Sequence, residues 1–273
     1  MRVLRLCVVL GLLAGGCRER SAEEAGPEIA VTNSYLAAVV EDLCGEGTEV
    51  MCLAPPGMCP GHFDISPGQV RQLRGCRLLL LFDFQSQVES ALVRLKERGL
   101  QTRRVEEAKG LCVPDSYVAI CRDVAGILEG ECPERAAALA ERLAAIEQRL
   151  GALGDELRVV VAGSGAASAQ ALASHHQSRF AQWLGLETVA SFVGSDTETV
   201  GHIDHCLKQA AGHEVRFVIA NQQEGTALAR ALAERLDARA VVFSNFPSDG
   251  ADGLGFDRLL RDNVGRLLEA VGK

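Results

Sequence analysis

Apolar and polar positions along the chain alternate between two periods. Leu78 to Phe82 is an unbroken apolar run of strand length, as a strand buried on both faces of a parallel sheet requires. Segments of strand length at Glu28 to Thr32, Glu49 to Leu53, Gln101 to Val105, Arg158 to Ala162, Thr188 to Phe192, Val215 to Ala220 and Ala240 to Phe243 are read as further strands. Helical spacing predicts helices at about 34–43, 67–74 and 87–98, and again at about 167–184, 198–211, 225–236 and 256–271. Between these blocks, Leu139, Leu143, Ile146 and Leu150 share one face of a helix that starts near Pro133. Glu134 sits at the positive end of its dipole, and Gly151 and Gly154 are its expected stop. Strand–helix alternation on both sides predicts an α/β protein of two lobes. Each lobe is a mainly parallel sheet flanked by helices, and one long backbone helix joins them. The strand-end loops of both lobes then line a cleft.

The N-terminus reads as a targeting segment. Arg2 and Arg5 precede an apolar run, Leu6 to Leu13, too short to span a bilayer. Ala14-Gly15-Gly16 before Cys17 resembles a bacterial lipobox, with Cys17 as the lipidated first residue of the mature chain. The chain divides into a signal peptide of lipoprotein type (1–16), a polar tether (17–27), an N-terminal lobe (28–132), a linker helix (133–152) and a C-terminal lobe (153–273). Localisation is then extracytoplasmic, with the membrane reached by the lipid anchor only. Loss of residues 1–16 removes Arg2 and Arg5 and moves the formal charge from −8 to −10. Such an acidic chain disfavours nucleic acid and anionic membranes and suits cations.

Of ten cysteines, Cys7 lies in the signal segment and Cys17 is the lipid site. The remaining eight are Cys44, Cys52, Cys59, Cys76, Cys112, Cys121, Cys132 and Cys206, an even number that reads as disulfides in an exported protein. Cys52 with Cys59 and Cys112 with Cys121 are candidate bridges across loops, although spacing leaves the pairing open. The absence of CxxC argues against a thioredoxin-type redox enzyme.

Candidate chemistry centres on Cys52-Leu53-Ala54-Pro55-Pro56-Gly57-Met58-Cys59-Pro60-Gly61-His62-Phe63-Asp64, a strand running into a turn that presents one histidine. Imidazole is the commonest protein metal ligand. With this loop, the opening Ile29-Ala30-Val31-Thr32-Asn33-Ser34-Tyr35-Leu36 and the final helix segment Leu259 to Ala270, the chain resembles the cluster A-I solute-binding proteins of bacterial ABC transporters, the zinc- and manganese-binding family. The resemblance implies two lobes on a rigid helix, a divalent metal between them, and delivery to an ABC permease by a monomer. It assigns His62 to the first ligand position, Asp115 in Pro114-Asp115-Ser116-Tyr117 to the second, and His175 or His176 to the third. A carboxylate is expected near Ser244-Asn245, where no acid stands; Asp249 and Asp252 follow in the same loop. Neutral imidazole suits Zn²⁺ first, with Mn²⁺, Fe²⁺, Ni²⁺ or Cu as other occupants.

Other motifs carry less. His202, His205 and Cys206 share a helix face that reads as solvated. Gly163-Ser164-Gly165 reads as a tight strand-to-helix turn with an incomplete dinucleotide fingerprint. No nucleophile–base arrangement is present, so an enzyme is not expected. Two alternatives to a bare metal remain: the same fold binding a metal chelate or small organic solute, and a disulfide-bridged surface module for adhesion.

Overall fold

The computed structural model describes residues 28–45, 47–54, 64–194, 200–248 and 254–272, leaving aside the side chains of residues 86, 91 and 200–202. The first lobe runs β1 (Ile29–Val31), α1 (Ser34–Cys44), β2 (Val50–Cys52), α2 (Pro67–Leu73), β3 (Leu78–Phe82), α3 (Ser86–Ala91), α4 (Val93–Lys96) and β4 (Gln101–Val105). Its four parallel strands are ordered β2-β1-β3-β4. The apolar run of β3 is buried at every position, as a central parallel strand should be. Side chains set the helix starts. Asn33 accepts the backbone N–H of Leu36 at the head of α1, and Ser66 with Gln69 forms a capping box before Pro67.

A helix that hydrophobic spacing had left unassigned follows: α5 (Pro114–Glu131), with Pro114 in its first turn and Tyr117, Ile120, Cys121, Val124 and Leu128 buried on one face. A 3₁₀ turn, Pro133–Arg135, leads into α6 (Ala136–Gly163), a single helix of 28 residues. The expected stop at Gly151 and Gly154 is overturned, because the buried stripe continues through Leu153, Leu157 and Val161. Gly154 is a point of close approach: a Cβ there would lie 3.1 Å from Cζ2 of Trp183. The expected strand at Arg158 to Ala162 is therefore the end of α6, with Val159 and Val160 exposed at 71% and 42%.

The second lobe begins at β5 (Gln170–Ser174), inside the segment expected to be helical from 167. Then come α7 (His175–Trp183), β6 (Glu187–Phe192), α8 (Val200–Ala210), β7 (Val215–Asn221), α9 (Ala227–Arg235), β8 (Arg239–Phe243) and α10 (Gly255–Val271). The strands are parallel, ordered β6-β5-β7-β8. Gly163-Ser164-Gly165 thus joins a helix to a strand, the reverse of a dinucleotide loop. Among the described residues no helix is long and apolar enough to cross a membrane.

One buried cluster runs through both lobes, from Val31 and Tyr35 through Leu150 of α6 to Phe243 and Leu267. Tyr35 packs against Tyr117, Phe246 and Phe256, and Phe256 stacks on Tyr117 at 3.9 Å. A polar node reinforces these contacts. Arg149 of α6 donates twice to Asp42 of α1 (3.1 and 2.7 Å) and pairs with Asp257 of α10 (3.2 Å), while Tyr117 of α5 donates to Asp42 (2.8 Å). The linker helix is therefore bonded to both lobes.

Candidate metal-binding cleft

In a parallel sheet the strands' C-terminal ends share one edge, where loops present ligand-binding groups. In the second lobe, β5 ends at Ser174 and His175-His176 open α7 at that edge, both exposed, with ring centroids 6.0 Å apart. Next to them, β7 ends in a 3₁₀ turn, Gln222–Glu224. Glu224 Oε1 lies 3.6 Å from His176 Nε2, and Ser174 donates its hydroxyl to Glu224 Oε2. Gly194 lies close against Glu224, since a Cβ there would fall 2.3 Å from Glu224 Cβ.

The facing lobe contributes Glu107, just past β4. Burial lifts its carboxyl above the ordinary range; His176 of the other lobe pulls it down, and Asp83 pushes it up. His176 is therefore paired with Glu224 of its own lobe and felt electrostatically by Glu107 of the other. Close by, Gly110 lies against Arg179 of α7, where a Cβ would meet the Arg179 Cδ at 2.8 Å.

The region around Ser244-Asn245, where an acid was expected, holds a buried neutral network. Gln177 donates to Asn221 (3.2 Å) and Asn245 (2.8 Å), and Gln223 donates to Ser244 Oγ (3.0 Å) and accepts from the Asn245 N–H (3.1 Å). Asn263 accepts from Ser244 N–H and donates to its carbonyl, both at 2.9 Å. Gln177 Oε1 is buried without a partner.

His62 and Cys59 lie outside the described residues, as do Cys17, Asp249 and Asp252. Asp115 is exposed in the first turn of α5. Among the described residues no three His, Cys, Asp or Glu side chains converge closely enough to hold a metal ion. His205 is exposed on α8, while Cys206 is buried with its sulfur 3.3 Å from the Ser191 carbonyl. Glu224 and Glu107 are the groups that motif reading missed. Each follows the end of a parallel strand, and that position was the available signal.

The expected Cys112–Cys121 bridge is not formed, and both thiols are free and buried. Cys112 points to the second lobe, donating to the Ser244 carbonyl at 3.0 Å. Cys121 lies about two helical turns into α5, roughly 10 Å along the axis, beyond the reach of a disulfide. Burial pushes both thiols far up. For Cys52, whose sulfur lies 3.2 Å from the Ala54 carbonyl, the expected partner Cys59 is outside the described residues.

Two parallel sheets with facing strand-end loops, tied by one long helix, define a two-lobed solute-binding protein. The matching family model is that of "ZnuA: Zinc-uptake complex component A periplasmic", over residues 29–270, and the chain belongs to this family. It is a metal-capturing solute-binding protein and not an enzyme. Similar solved structures include a crystal structure of ZnuA (17% identity, TM-score 0.69, covering 90% of this chain and 99% of that one). Another is the Cd-bound periplasmic metal-binding protein of Candidatus Liberibacter asiaticus (12% identity, TM-score 0.74, covering 89% and 98%). The laminin-binding protein Lbp of Streptococcus pyogenes is also similar (13% identity, TM-score 0.70, covering 90% and 99%). No curated protein sequence matches the chain significantly.

Proposed function

We propose that the protein captures Zn²⁺ between its lobes outside the cytoplasm, anchored by lipid at Cys17, and passes it as a monomer to an ABC permease. The observation that carries this reading is His176 at the cleft edge of the second lobe, 3.6 Å from Glu224. Mixed imidazole and carboxylate donors suit zinc, and Mn²⁺ becomes competitive as the oxygen share rises. Among the described residues no three donors converge on one point, so ligation draws on His62 from the loop after β2, with Glu107, His175 and Asp115 as the remaining candidates. The ion exchanges waters for side chains on loops, while the bonded linker helix limits lobe rotation. Release then requires the permease to distort those loops.

The test is calorimetric titration of metal-stripped mature protein with Zn²⁺ and with Mn²⁺, for wild type, His176→Ala and His62→Ala. One ion per chain is expected, with each variant at least about tenfold weaker. Unchanged tight binding in both variants would remove these histidines from the site. The neutral network at Gln177, Asn221 and Asn245 favours a second reading, a chelated metal or small organic solute in the same cleft. Native mass spectrometry of the protein as purified separates the two, because a chelate adds the mass of its organic part.

A further inference from the structure

Charge is unevenly distributed over this acidic chain. Residues 66–104 carry eight arginines and lysines against three acids, Asp83, Glu89 and Glu97. The fold gathers most of these cations at one corner of the first lobe. α2 and α4 cover the same face of the sheet, since Leu73 and Cys76 share a buried cluster with Leu92, Leu95 and Leu100. The C-terminal turn of α2 carries Arg71 and Arg74, and that of α4 carries Arg94, Lys96 and Arg98. These turns feed into β3 and β4, and the Gln101 N–H bonds the Arg77 carbonyl at 2.9 Å, so they lie side by side. This edge, where the parallel strands start, is opposite the cleft edge, where they end. Lys96 and Arg104 share Glu89, and Arg103 pairs with Glu131. Arg71, Arg74, Arg94 and Arg98 are exposed and form no ion pair among the described residues. The chain enters the lobe at the same edge: the Glu28 carbonyl accepts the N–H groups of Arg77 (2.8 Å) and Leu78 (3.2 Å). Cys17 stands 11 positions before Glu28, a reach of at most about 40 Å.

We propose that this arginine corner rests on the anionic phospholipid surface to which the chain is anchored, an inference that builds on lipidation at Cys17. Guanidinium matches phosphate oxygens with two parallel hydrogen bonds, and its weak hydration makes that exchange cheaper than for an ammonium. The net charge of the chain opposes such contact, but charges more than about 8–10 Å away are screened in ordinary salt. The face presented to the lipid therefore decides the contact, and the anchor pulls on the edge that bears the unpaired arginines. Tethering also raises the local concentration of lipid headgroups, so contacts too weak to recruit a free protein suffice to orient an anchored one. Glu97, exposed beside Arg98 in sequence, offsets one of the charges and leaves the corner basic. Resting on this edge leaves the cleft edge pointing away from the lipid and open to incoming ions. A purely electrostatic, salt-sensitive hold lets the protein turn over to meet the permease.

The experiment is phenylglyoxal labelling of arginines, mapped by peptide mass spectrometry, on the acylated mature chain in vesicles of phosphatidylcholine with and without phosphatidylglycerol. Arg71, Arg74, Arg94 and Arg98 should label several-fold more slowly on the anionic vesicles. Arg230 and Arg235, exposed on α9 of the second lobe, should label equally on both. Raising salt from 0.1 to 1 M shortens the screening length from about 10 to about 3 Å and should remove the protection. Arg74→Glu/Arg98→Glu should lose the protection at Arg71 and Arg94 and keep the Zn²⁺ affinity of wild type. Equal labelling of the four arginines on the two kinds of vesicle, or protection that survives high salt, would overturn the proposal. The intact mass reports acylation separately. If Cys17 carries no lipid, the anchoring reading fails by itself. A chain with another lipoprotein's signal and acceptor cysteine in place of residues 1–17 then gives the labelling result.

Discussion

Replacing Asp42 by alanine tests the claim that the linker helix is bonded into both lobes. The Asp42 side chain is 5% exposed and accepts three hydrogen bonds, two from Arg149 and one from Tyr117. Removal leaves the Tyr117 hydroxyl, on a fully buried side chain, without its acceptor, at a cost of about 1–3 kcal/mol. It also leaves the Arg149 guanidinium with only Asp257 at 3.2 Å, on a side chain 30% exposed. Breaking a buried pair costs about 3–5 kcal/mol, and because Asp257 remains, that range serves as the total rather than an addition to the tyrosine term. A domain of this size loses about 2–4 °C of Tm per kcal/mol, so the expected fall is roughly 6–20 °C. Denaturant unfolding followed by circular dichroism supplies ΔΔG directly. Asp42→Asn keeps an acceptor for Tyr117 and should fall between wild type and Asp42→Ala. A cycle with Arg149→Ala should be non-additive by about 1–3 kcal/mol. A loss under about 1 kcal/mol for Asp42→Ala, or simple additivity, would show that the node contributes no more than a surface ion pair.

Two other perturbations bear on the site and on acid stability. Gly194→Ala would put a Cβ 2.3 Å from Glu224 Cβ, so Glu224 and its turn must shift; Zn²⁺ binding in calorimetry should weaken and the melting temperature should fall, and undiminished affinity would separate Glu224 from the cargo. Glu89 accepts from Thr102 (2.8 Å), Arg104 and Lys96 (3.1 Å), and those bonds, led by Thr102, lower its pKa to about 2. The folded pKa lies below the unfolded value of about 4.3, so this contribution is complete above about pH 4.3 and is lost as pH falls through about 2. Glu89→Gln should therefore flatten the acid limb of stability over that window, as read by denaturation at successive pH values, and an unchanged limb would reject the assignment.

The fold was legible because most of its elements announce themselves by period. The uninterrupted Leu78 to Phe82 is a central strand, and the last four elements of the chain lie within a few residues of their sequence positions. The errors cluster around α6. Arg158 to Ala162 has the β-branched composition of a strand, yet Leu153, Leu157 and Val161 continue the buried stripe that Leu139 and Ile146 begin. Periodicity over the whole helix outweighs local β propensity. Gly154 looked like a terminator and is instead the space in which Trp183 lies. The site was harder to read, since motif matching asks for a residue type at a position along the chain, and Glu224 and Glu107 come from loops that the motif does not include. Cys112 misled for a similar reason: its partner is the Ser244 carbonyl, more than a hundred residues away, and not the nearer cysteine.

The pairing of β7 with β8 explains how a carboxylate can move between loops without altering the fold. Asn221 is in register with Phe243, so the loops after these strands leave the sheet side by side. Gln223 then joins them, donating to Ser244 Oγ and accepting from the Asn245 N–H. In this bonded pair of loops an acid at 224 serves the same end of the cleft as one at 244 or 245 would. Asn245, already committed to Gln177 and lying 3.4 Å from the Cys112 sulfur, is left to pack the lobes together. Ligand duty and lobe contact, which one aspartate in the β8 loop would have to combine, are on this reading divided between neighbouring strands. Lobe contact that does not depend on the cargo lets the two lobes stay docked whether or not an ion is held. On the ligand set proposed above, the change on loading is expected at His176, Glu224 and the loop that carries His62.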